Sequence, residues 1–191
     1  LYVMKPSWSY ALNADFEAVI ARFASVVLTT PEGLAWSPAN LARYELAVME
    51  LDGGGGSVAA LEALAAGSGP AVGFVGDEIT GDLRVTALLT LAEAGLKRRS
   101  FARVRERLVE AAKTAPDAPM GPPDGPKRWC GYEAVDRLAD RLGARAPDEA
   151  LQGLAELAAA SRRKELWAYA QLARVKLLAR MGRLPEARAA L

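Results

Sequence analysis

The chain has 191 residues, of which 51% are hydrophobic and 25% charged, with a formal net charge of +1; a composition led by alanine, leucine, arginine and glutamate belongs to packed helices and excludes a disordered chain. It holds no histidine and one cysteine, Cys130, which excludes a disulfide framework, a zinc site built on thiolates or imidazoles, and general-base catalysis by histidine. Nowhere do 18 apolar residues run uninterrupted, and residues 1–12, "LYVMKPSWSYAL", lack the apolar core and small-residue cleavage site of a signal peptide; no membrane span and a cytoplasmic location are expected.

Taken in chain order, Phe16, Val19, Ile20, Phe23 and Val26 recur every three to four residues and predict a helix over residues 15–28. Ser37-Pro38 supplies an N-cap and a first-turn proline for a helix through "NLARYELAVMEL" that Gly53 ends. The run "GGGG" marks a flexible joint over residues 52–57; with no lysine after it and no strand before it, it is not a phosphate loop. Ser57 opens a short helix to residue 67, and a loose segment follows in which "AVGFV" reads as a brief strand. Asp82 to Leu96 and Phe101 to Ala112 form a pair of helices. The proline-rich "APDAPMGPPDGPKRW" is a second, irregular joint over residues 115–128. Helices are expected over Tyr132 to Leu142, Asp148 to Ala160 and Glu165 to Met181, then a tight turn at Met181-Gly182-Arg183 and a last helix opened by Pro185.

A repeat emerges when the second helix of each pair is aligned. Phe16, Val19, Phe23, Val26 and Pro31 have the spacing of Phe101, Val104, Leu108, Ala111 and Pro116. The same frame takes in Ala60 with Leu64, Ala150 with Leu154 and Leu157, and Ala187 with Leu191, so that second helices fall near 15–28, 57–67, 100–114, 147–160 and 185–191. Their anchors at 19, 60, 104, 150 and 187 are 41, 44, 46 and 37 residues apart, the irregularity falling at the two joints. The first helices agree: "LARYELAVMELDG" is echoed by "LARVKLLARMG". A hairpin of this kind leaves an apolar edge that stacking on its neighbours buries.

These residues resemble the tetratricopeptide-like repeats. The pattern at Phe101, Val104, Leu108, Ala111 and Pro116, with Leu88, Leu91 and Ala92 on the partner helix, carries the likeness. The longer period and "LARVKLLARMGRLPEARAAL" are similar to the sensor region of large bacterial transcription activators of the LuxR and maltose-regulator type. The resemblance implies an all-α, right-handed superhelical array of hairpins, a single α-solenoid over residues 1–191 cut from a longer chain, acting as a protein- or effector-binding module of a regulator. Its ligand groove would be lined by first helices, where Arg43, Tyr44, Glu45, Trp167, Tyr169, Gln171 and Arg174 are the candidates; ordinary packing is the competing reading for the aromatics.

Charge offers a second reading. Residues 1–96 hold 4 Lys or Arg and 11 Asp or Glu, net −7, whereas residues 97–191 hold 20 and 12, net +8. Lys97, Arg98, Arg99, Arg103, Arg105 and Arg107 fall within eleven residues, and Arg162, Arg163 and Lys164 form a second run. They are a nucleic-acid-binding patch, a surface that docks on the acidic half of a neighbour or another domain, or a solvated face. Catalysis is not expected: Asp136 with Asp140 and Asp148 with Glu149 are the available carboxylate pairs, and each has an arginine nearby or a helix start to explain it. Cys130 has no histidine to pair with. No metal or cofactor is expected.

Overall fold

The computed structural model describes residues 18, 20–26, 28–29, 35–52, 58–67, 73–75, 78–80, 82–121, 128–160 and 163–191. They are mostly helical, and the chain divides into two compact units, Leu1–Ala87 with Gly121–Pro126, and Leu88–Met120 with Lys127–Leu191. Phe16, Val19, Pro31, the glycine run and the Ser57 cap lie outside the described residues.

In the first unit the chain is helical at Ala18 and at 20–22, turns at 23–25, and becomes extended. Strand β1 (Leu28–Thr29) pairs antiparallel with β2 (Ala35–Trp36), Leu28 opposite Trp36. The helix expected to reach residue 28 therefore stops short. Val26, Val27, Leu28, Thr29 and Thr30 are a β-favouring run ahead of Pro31, and local propensity overrides the helical spacing before it. Helix α1 (Pro38–Asp52) starts as its sequence dictates, with the backbone N–H of Asn40 donating to Ser37 Oγ at 3.3 Å. It buries Ala39, Ala42, Tyr44 and Ala47 and packs on α2 (Ala59–Ala66), which buries Leu61 and Ala65. Strands β3 (Gly73–Val75) and β4 (Glu78–Thr80) form an antiparallel hairpin with Phe74 opposite Ile79. The first of these strands was expected and the second was not.

Helix α3 (Leu83–Lys97) is capped by Asp82, whose Oδ1 accepts the Arg84 backbone N–H at 2.9 Å. It is apolar nearly all round and buried accordingly, from Leu83 through Leu88, Leu89 and Leu91 to Leu96. The unit boundary falls within it, after Ala87.

The second unit continues through α4 (Phe101–Thr114), strands β5 (Pro119–Gly121) and β6 (Arg128–Trp129), α5 (Cys130–Asp136), a π-helical segment (Arg137–Leu142), α6 (Pro147–Ala160), α7 (Lys164–Arg180) and α8 (Leu184–Ala189). Helix α4 turns Val104, Leu108, Val109, Ala111 and Ala112 inward. It packs on α5 and α6; α6 packs on the π segment and α7, α5 on α7, and α7 on α8. The ends of the proline-rich joint are tied, not irregular: Pro119 pairs with Trp129 and Met120 with Arg128, and the Cys130 N–H donates to the Ala118 carbonyl at 2.9 Å.

Close approach explains two glycines. A Cβ on Gly153 of α6 would stand 2.9 Å from Leu138 Cδ2 and 3.0 Å from Arg105 Cγ, so the missing side chain lets α4, the π segment and α6 meet. A Cβ on Gly143 would stand 2.1 Å from the Ala139 carbonyl oxygen. That residue closes the π segment by donating its N–H to Leu138 O, five residues back, at 2.9 Å.

Two hairpin turns share one backbone. After α3, the Ser100 N–H donates to Gly95 O (2.9 Å) and the Arg99 N–H to Leu96 O (3.3 Å); after α7, the Arg183 N–H donates to Leu178 O (2.9 Å) and the Gly182 N–H to Ala179 O (3.0 Å). Both are Schellman closures, in which one residue takes a left-handed conformation. That residue is Arg99, φ +57°, in the first turn and Gly182, φ +75°, in the second.

Candidate functional site

The first helices of successive hairpins in the second unit are α5 and α7, and the face they share is where a groove was expected. The rings of Tyr132 on α5 and Tyr169 on α7 meet edge to face, centroids 4.8 Å apart at 65°. Tyr169 Oη donates to Asp136 Oδ1 at 2.7 Å. That bond, then burial, then the charges of Asp136, Asp140 and Glu133 push the Tyr169 phenol up to about 12. Beside it the buried carboxylate of Glu133 takes Arg137 Nε at 2.6 Å and Arg128 Nε at 3.0 Å. Farther along, Arg180 donates to Asp140 Oδ1 (3.0 Å) and to the Ala139 carbonyl (3.1 Å). These carboxylates are thus partnered by their own neighbours, and the arrangement fastens α5 and the π segment to α7. Among the described residues no three His, Cys, Asp or Glu side chains come together in a way that could hold a metal ion, and no helix is long and apolar enough to cross a membrane.

Within each unit the candidate groove residues do not share one face. Residues two apart on a helix point about 200° apart, and α7 obeys this: Tyr169 looks toward α5, whereas Trp167, Gln171 and Arg174 look the other way. Gln171 Nε2 donates to the Ala190 carbonyl just past α8 at 3.2 Å, with its Oε1 buried and unpartnered. Glu186 on α8 is held below the usual carboxylate range by its bond to Arg183 first and by the charge of Arg174 last. Trp167 is 46% exposed. In the first unit, Arg43 is exposed and donates to Asn40 Oδ1 at 2.7 Å, and Glu45 is half-buried, its carboxyl pushed up by that burial. Tyr44, at 5% exposure, is core to α1 and no groove contact, since three consecutive helical residues cannot share a face.

No protein-family model, curated protein or solved structure matches the chain. What its surfaces can bind rests on their own side chains. One residue that the sequence did not single out belongs beside Tyr169, namely Tyr132; Trp129, 48% exposed, stands in β6 just ahead of α5. Tyr132 and Asp136 stand at i and i+4 on α5, a helical signal that the adjoining proline-rich stretch obscures.

The expected basic patch also separates. Arg105 is consumed in packing: its Nη1 donates to Glu149 Oε2 at 2.8 Å and Gln152 Oε1 at 2.5 Å, and its Nε is buried without a partner. Arg107 pairs with Glu110 at 3.4 Å and Arg163 with Asp117. Arg162 lies outside the described residues, and Lys164 is exposed in the first turn of α7. Arg98, Arg99 and Arg103 are exposed.

Proposed function

We propose that the chain is a non-catalytic binding module, a run of stacked tetratricopeptide-like hairpins in the regulatory part of a cytoplasmic bacterial transcription regulator. The observation that carries this reading is the contact order in the second unit. Each helix there packs on the next one or the next but one, α4 on α5 and α6, α5 on α7, α6 on α7, α7 on α8, as in an array whose stability is a sum of neighbour interfaces. The exposed aromatics Trp129, just ahead of α5, and Trp167, on α7, take a peptide segment or a small effector. Binding changes how α5 and α7 pack, and so biases the contacts of an adjoining domain.

The test is selection of a displayed peptide library on the whole chain, followed by titration of the selected peptides into Trp129→Ala and Trp167→Ala. Peptides that lose affinity on either change, with the circular dichroism intact, support the reading. Selection that yields no binder, or binders indifferent to both changes, removes it.

A further inference from the structure

Eight of the eighteen described lysines and arginines of the second unit have a carboxylate. Arg105 meets Glu149, Lys113 meets Glu156, Arg180 meets Asp140, and Arg183 meets Asp148 and Glu186. The turn between α3 and α4 differs. Lys97, Arg98, Arg99 and Arg103 are exposed there, and among the described residues none of these side chains pairs with a carboxylate. Arg145 adds to them from the following hairpin turn, its Nη1 donating to the Leu96 carbonyl at 3.0 Å. Five positive charges are gathered against one turn.

Fold stability accounts for only part of this. Lys97, Arg98 and Arg145 lie at the C-terminal end of α3, where the helix dipole favours cations. Arg99 shares that end but holds φ +57°, a conformation that disfavours any side chain. Arg103 does not share it. It sits in the first turn of α4, where the dipole favours anions; α5, α6, α7 and α8 each carry an acidic residue in that turn and α4 carries none.

We infer that the α3–α4 turn docks the phosphate backbone of a nucleic-acid duplex, with Arg98, Arg99, Arg103 and Arg145 neutralising phosphates. Four of the five cations are guanidinium groups, whose planar fork matches a pair of phosphate oxygens better than an ammonium does. The turn presents no large apolar side chain that is exposed, as insertion into a lipid surface would need; Phe101 is half-buried. The contacts carry no base information, so binding is independent of sequence. The site is separate from the α5–α7 face and stands or falls apart from it.

Fluorescence anisotropy of a labelled random-sequence DNA duplex, titrated with the whole chain, tests this. Four neutralised phosphates give a slope of about −3.6 for log affinity against log salt, or roughly a 100-fold loss between 50 and 200 mM. Two variants separate binding from folding. Arg98→Glu should reduce affinity at least about tenfold at low salt. Arg99→Gly removes a phosphate contact but relieves the backbone, so affinity should fall while the melting temperature rises. Arg107→Gln, which alters a cation already paired with Glu110, should leave binding as it was. No binding at 50 mM salt, a slope near zero, or equal losses in Arg98→Glu and Arg107→Gln would each overturn the inference. So would adsorption to vesicles containing phosphatidylserine in the absence of duplex binding.

Discussion

The turns that close α3 and α7 have the same hydrogen bonds and a left-handed residue at the same place, yet they are built from opposite materials. Around Gly182 the backbone is relaxed and Arg183 is answered by Glu186 at 2.5 Å and Asp148 at 3.1 Å. Around Arg99 the backbone is strained and the cations face solvent. The helices on either side trade volume as well. Gly95 lies opposite Val104 in the first hairpin, and the corresponding positions of the second, 83 residues on, are Leu178 and Ala187, both buried. A small–large pair in one hairpin is a large–small pair in the other. One backbone solution is therefore reached by two side-chain solutions, and only one of them leaves charge uncommitted.

The volume trade offers the largest test. A Cβ on Gly95 would stand 2.7 Å from Val104 Cγ2, and Val is stiff at that bond. Gly95→Leu should cost about 3 kcal/mol in urea unfolding, and adding Val104→Ala should recover at least half of it. If the double variant is no better than the single, the two hairpins do not share this packing rule.

Next comes the backbone. Gly182→Arg, which gives the second turn the residue of the first, should cost about 1 kcal/mol, since nothing within 4 Å of the added Cβ would contribute a clash. The reciprocal Arg99→Gly should stabilise by about 0.5–1 kcal/mol. Changes of the same sign in both would mean that the left-handed residue is not what limits either turn. The smallest effect is one of pH. The Glu186 carboxyl is lowered by its bond to Arg183, so whatever the pair contributes is present above the usual carboxylate range and is lost as pH falls through the lowered value. Amide exchange near Gly182 should quicken on acidification, corrected for intrinsic rates, while exchange near Arg99, which has no carboxylate to titrate, should not.

Much of the helical layout was legible in the sequence because it rests on local rules. Ser37 caps α1 and Asp82 caps α3 through their own side-chain oxygens, and the apolar spacing of α4 is the spacing that is buried. Features that depend on a neighbour were not. The end of the first helix is set by a β-favouring run that also fits a helical period, and β1 exists because β2 pairs with it. Likewise β4 exists through β3, although Gly76-Asp77 between them is a hairpin signal in its own right. The π segment needs the Gly143 backbone to come within reach of Ala139, which no composition reveals. Of the candidate site residues, the sequence identified chemistry but not direction. Tyr44 and Arg105 sit on helix faces that turn inward, beside Arg43 and Arg103 that turn out. A run of like residues reads as one patch until the helical phase divides it.

Tyr169 has a use beyond holding α7 to α5. Its phenol ionises near 12 instead of the usual 10.0, because Asp136 accepts its proton's hydrogen bond. Its share of stability is thus whole below pH 10 and disappears as pH rises toward 12. Between those limits a tyrosine with an ordinary pKa is more fully phenolate than this one. The difference is an optical gauge of whether the two helices are together, readable in the near ultraviolet without a label, and any occupant that pries α7 from α5 should move it.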